Sequence, residues 1–85
     1  MMEPIHDPIN ARIAWCRRQR EQARTESEAE EWCAEEDGLR DALLNRNQAD
    51  AYRVSTTEVF RRYELGLRDG KALLQVAWVE GLLRK

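Results

Sequence analysis

Few side chains in this sequence are equipped for chemistry. His6 is the sole histidine, and the thiols are Cys16 and Cys33. A histidine base beside a thiol can make a nucleophilic pair. His6, however, lies ahead of the first helical signal, a poor place for preorganised chemistry. Zinc needs at least three good ligands, and this set does not provide them. There is no nucleophile elbow, phosphate-binding glycine loop, dinucleotide fingerprint or pair of metal-binding histidines. The sequence therefore points to no catalytic residue, no metal and no cofactor, and to a protein that is not an enzyme. Two cysteines do not make the disulfide framework of a secreted domain. No basic-then-apolar leader opens the chain, so the expected location is the cytoplasm.

Charge is the richer signal. The chain has 14 basic and 16 acidic residues, a net charge of −2. Residues 1–24 carry a net +2, residues 25–41 a net −7, and residues 42–85 a net +3. Two readings follow. Neighbouring segments fold back and neutralise one another, or the acidic stretch docks on a basic partner, with Glu30, Glu31, Glu35 and Asp37 as its face. The basic counterpart in the first helix, Arg17, Arg18, Arg20 and Arg24, suggests an alternative, a helical regulator whose arginines contact nucleic-acid phosphates. Such binding would weaken steeply with salt. A helix-turn-helix with its turn at Gly66–Asp69 is excluded. Its recognition helix, starting at Lys71, has hardly any group to read base edges.

These residues must be positioned by helices. Four glycines and two prolines are too few to punctuate an all-β fold, and the longest uncharged run, residues 72–79, is too short to span a membrane. Asp7 and Pro8 read as an N-cap followed by a first-turn proline. Ile9, Ile13 and Cys16 then share one helical face, with Trp15 beside it. Helix 1 is expected over about 8–24. Thr25 and Ser27 each open a capping-box pattern, starting helix 2 over about 26–48, with an apolar stripe of Ala29, Trp32, Cys33, Leu39 and Leu43 interrupted by Glu36.

The hairpin implied by a turn near Arg24–Thr25 sets the arginines of helix 1 beside the acids of helix 2. It also brings Cys16 level with Cys33, which predicts an intrachain disulfide under mild oxidation. Ser55 and Glu58 form a further capping box, with Val54 and Val59 as its hydrophobic staple. Helix 3 is expected over about 56–65. Gly66 then reads as a stop and Asp69 as the cap of helix 4 over about 70–84, because two glycines four apart cost roughly 2 kcal/mol inside one helix. A single continuous helix is the alternative.

The fold class is thus all-α: one small domain, 1–85, of three or four helices, with a loose N-terminus over 1–7, an antiparallel N-terminal hairpin and an apolar C-terminal helix. Of 24 large apolar side chains, 13 lie in residues 54–85. Leu73, Leu74, Val76, Trp78, Val79, Leu82 and Leu83 surround the last helix, and a helix apolar on all sides needs cover on all sides. The first two helices supply too little. Another protein chain, or a second copy in a homodimer, is the expected cover, seated at Leu74, Trp78 and Leu82. No membrane and no small-molecule substrate is expected. The function expected is a non-enzymatic protein-protein interaction module, an adaptor or an inhibitor occluding a partner's surface. A phage or mobile-element product that blocks a host or defence complex would have this makeup.

Overall fold

The structure, a computed structural model, describes the backbone of residues 8–83 and the side chains of residues 8–76. Four helices follow one another: α1 (Pro8–Glu21), α2 (Glu26–Leu43), α3 (Ala49–Tyr52) and α4 (Thr57–Leu83). Strands are absent among the described residues, and the fold is all-α.

α1 buries Ile9, Ile13 and Cys16, the stripe its sequence spells out. Asp7, the expected cap, lies outside the described residues. The chain turns at residues 22–25 into α2, whose first turn is capped by Thr25. The Thr25 hydroxyl accepts from the Glu28 amide at 3.1 Å, and the Glu28 carboxylate accepts from the Arg24 amide at 3.2 Å. Of the two capping patterns in this stretch, the chain uses the first. The hairpin is antiparallel: Arg20 meets Cys33, while Arg17, one turn earlier, meets Glu36.

α2 stops at Leu43, five residues short of the expected end. Asn45 adopts a left-handed φ of 56°, a conformation asparagine tolerates better than most residues. Arg46 N–H then bonds the Asp41 carbonyl at 2.7 Å and Asn45 N–H bonds that of Ala42 at 3.2 Å. This is the Schellman closure that satisfies the last carbonyls of a helix.

α2 and α4 run parallel. Glu31 faces Arg62, Gly38 faces Gly66 and Leu67, and Ala42 faces Gly70. Residues 44–56, which include α3, therefore run back along the bundle to start α4 at the opposite end. Tyr52 of α3 stacks on Tyr63 of α4, with centroids 4.5 Å apart and planes 14° apart.

α4 is one helix of 27 residues, so the break expected at Gly66 does not occur. Gly66 is instead the contact point with α2. A methyl group there would fall on the Glu35 backbone carbonyl, and one on Gly38 would fall on that of Tyr63. The two helices therefore cross on bare backbone, where a side chain on either would collide. The start of α4 is also one residue later than expected. The Thr56 hydroxyl, not that of Ser55, accepts from the Val59 amide at 3.2 Å. Val59 is buried, but Val54 is 90% exposed, so the staple does not form.

Candidate functional site

The buried face of α2 is the chief departure from the sequence reading. The expected stripe is only partly inside: Leu39 is buried, Ala29, Trp32 and Cys33 are half-buried, and Leu43 is exposed. The face turned to the core carries Ala34, Gly38 and Ala42 together with three acids, Glu35, Glu36 and Asp41. Small residues let α4 approach, and each acid is matched by cations or hydroxyls from other segments.

Glu35 is 2% exposed. Its Oε2 accepts from Arg12 Nη2 at 2.6 Å and from Arg12 Nε at 3.1 Å, while Oε1 accepts from Arg62 Nη1 at 2.9 Å. The Cys16 thiol donates to the same carboxylate at 3.4 Å. Arg12 also reaches Asp69 at 3.1 Å. One carboxylate thus ties α1, α2 and α4 together. Glu36 gathers Arg17 at 3.0 Å, Arg20 at 3.4 Å and Arg40 at 2.8 Å. Asp41 accepts from the Tyr63 hydroxyl at 2.5 Å, from Gln48 Nε2 at 2.9 Å and from Arg46 at 3.2 Å. The Tyr63 hydroxyl in turn accepts from the Gln48 amide at 2.6 Å. Burial first, then its bond to Asp41, pushes the Tyr63 phenol up to about 12.

These contacts sort the residues singled out from the sequence. Glu35 is no part of an acidic face: it is buried between two arginines, because leaving it unpaired in the core would cost several kcal/mol. Glu31 is half-buried with Arg62 at 3.7 Å, and Asp37 accepts the Tyr52 hydroxyl. Glu30 remains exposed. Of the arginines proposed for phosphate contact, Arg17 and Arg20 are turned to Glu36, while Arg18 and Arg24 are exposed. Leu74 is half-buried. The side chains of Trp78 and Leu82 lie outside the described residues, as does His6.

Both thiols are free. Cys16 points to Glu35, and Cys33 accepts from Arg20 at 3.2 Å. The two cysteines lie on neighbouring helices, but each sulfur is engaged by a different charged group, Cys16 by Glu35 and Cys33 by Arg20. Beside them Trp15 and Trp32 meet edge to face with centroids 5.0 Å apart, and Arg62 lies over the Trp32 ring at 4.2 Å.

Sequence reasoning missed Arg12, Arg62, Asp41 and Tyr63 as organisers. The signal for Arg62 is faint. It falls on the same helical face as Gly66, Asp69 and Leu73, which only the close approach of α2 makes an inner face. Comparisons with protein-family models, with curated proteins and with solved structures found no match. No helix among the described residues is long and apolar enough to cross a membrane.

Proposed function

We propose that this protein is a non-enzymatic helical interaction module, an adaptor or an inhibitor that covers part of a partner's surface. The observation that carries this reading is the overhang of α4. α2 ends level with Gly70, and residues 72–83 continue α4 for about 18 Å beyond it. Where α2 stops, cover thins. Leu73 and Leu74 are half-buried, and Val76 is 52% exposed. The sequence onward remains apolar at Ala77, Trp78, Val79, Leu82 and Leu83. An apolar side chain left as open as Val76, 52% exposed, forgoes part of the roughly 1.5–3 kcal/mol that full burial contributes, and a second chain seated at this end would supply it.

The test is light scattering of the purified chain across concentration, paired with binding of an apolar dye. Association that persists in high salt is expected if the cover is a second copy. Dye binding at this end is expected if the cover is a different protein. Val76→Lys with Trp78→Lys should reduce either signal without loss of helicity. A monomer that binds no dye would overturn the reading. The arginines of α1 lend the nucleic-acid alternative little support, since Glu36 already engages Arg17 and Arg20.

A further inference from the structure

α1 and the segment that returns from α2 to α4 are held to the bundle in opposite ways. α1 buries Ile9, Ile13 and Cys16 in the core. Of residues 47–55, Ala49 and Tyr52 are half-buried and the others are exposed. The ties of this stretch to the helices run through Gln48, Ala49 and Tyr52. The Tyr52 ring stacks on Tyr63, and its hydroxyl donates to Asp37, an exposed carboxylate. Gln48 gives its Nε2 to Asp41 at 2.9 Å and its amide to the Tyr63 hydroxyl at 2.6 Å. The Arg53–Asp50 pair lies within the segment and does not reach the helices. A crevice lined by Asn47 and Ala49 on one side and by Glu64, Leu67 and Arg68 on the other runs between the segment and α4. Both ends of the stretch are closed independently. On the α2 side, the Asn45 and Arg46 amides complete the helix end. On the α4 side, Thr56 caps the first turn through the Val59 amide. Residues 47–55 can therefore lift away with neither α2 nor α4 unwinding. Beneath them lie Tyr63 and Asp41, 0% and 1% exposed.

We propose that residues 47–55 are a strap that opens as a unit while α1, α2 and α4 stay packed. Its latch is the pair of stacked tyrosines together with the aspartates that receive their hydroxyls. Segments with few buried apolar contacts and with solvent-exposed backbone hydrogen bonds open at lower free energy than the body of a fold. Asp37 and Asp41 lie one turn apart on α2, so neighbouring positions of one helix receive both phenols. Tyr52 leaves with the strap, whereas Tyr63 stays on α4 and keeps its bond to Asp41. Opening admits water to that bond. The surface beside α2 and α4 then changes from an exposed polar segment to an aromatic ring and a carboxylate, with the long helices unmoved. This device is independent of the apolar end of α4.

Native-state hydrogen exchange of the full chain in increasing, sub-denaturing urea, read by mass spectrometry of peptic fragments, tests this. The reporters are the amides of Gln48, Ala51, Tyr52, Arg53 and Ser55, each bonded in the closed strap. They should exchange together, with protection well below that of α2 and α4. Their exchange should depend little on urea, because opening exposes little surface. Tyr52→Phe keeps the ring and removes the bond to Asp37. It should speed strap exchange by up to about tenfold and leave the three long helices unchanged. Gln48→Ala should act in the same way, since Tyr63 and Arg46 still hold Asp41. Strap amides without protection in the native protein would overturn the proposal, because nothing would then be latched. Strap and helix amides that share one protection and one urea slope would also overturn it, as would variants that speed all the helices equally. Either result would make the segment part of the cooperative core. A Tyr52→Phe strap that exchanges at the native rate would remove the latch.

Discussion

Cys16 and Glu35 lie side by side in the core, and that neighbourhood decides the chemistry of the thiol. A thiolate there would lose its solvation and face a negative charge. Burial first, then Glu35, pushes the Cys16 thiol up to about 12. Since the thiolate is the reactive form, a small alkylating agent at about pH 8 should modify Cys33 in the native protein. It should reach Cys16 only at the rate of unfolding, as mass spectrometry of the digested protein would show. Equal rates would mean the thiol is not shielded as described. The disulfide expected from the register should form no faster than Cys16 is exposed.

Tyr63 gives a second handle at the same scale. Its native pKa, about 12, lies above the ordinary value of 10.0. The folded state therefore holds this proton more tightly than the unfolded one. The stability from this group is fully present below pH 10 and is lost as pH rises toward 12. Thermal melts across that window should decline, and Tyr63→Phe should make the decline shallower, although Cys16 and Tyr52, both pushed up chiefly by burial, keep part of it. An unchanged slope in the variant would remove Tyr63 from the account.

Among the elements, the buried face of α1 was legible and that of α2 was not, for one physical reason. Ile9, Ile13 and Cys16 are apolar and periodic, and the core takes them as written. The inner face of α2 is Ala34, Glu35, Gly38 and Ala42, which by hydropathy is a solvated face. It lies inside because Arg12 and Arg62, remote in sequence, neutralise Glu35, and because Gly38 lets α4 approach. The complementary charge of helices 1 and 2 was readable, but not which acids would be enclosed. The pairing of α2 with α4 hides the reason for Gly66 in the same way, since its local cost is visible in sequence while the close approach to the Glu35 backbone is not.

The glycines make this testable. Alanine is the better helix former by about 1 kcal/mol, yet Gly66→Ala should lower stability by at least about 2 kcal/mol in urea melts, the scale of an overpacked core. The added methyl group meets immovable backbone. Gly70→Ala should cost less, because the nearest atom, 2.6 Å away, is the Ala42 side chain. A stabilised Gly66→Ala protein would contradict the close crossing.

For the molecule as a whole, the buried side chains among the described residues are nine apolar ones and three carboxylates, Glu35, Glu36 and Asp41, while Leu43, Leu44, Val54 and Val76 lie exposed. Candidate surfaces were legible to the same uneven degree. The oily end of α4 could be read from residues 72–83 alone. Which acids of α2 stay on the surface could not, because Arg12 and Arg62 reach Glu35 from segments remote in sequence.

An interior built of ion pairs also alters how folding responds to temperature. Hydrating apolar surface raises the heat capacity on unfolding, and hydrating polar surface lowers it. A chain of this length with an ordinary core would show a change of about 1.1 kcal/mol/K; calorimetry should return a value clearly below that. The curve of stability against temperature would then be a shallow arch, so this protein should resist cold as well as it resists moderate warmth.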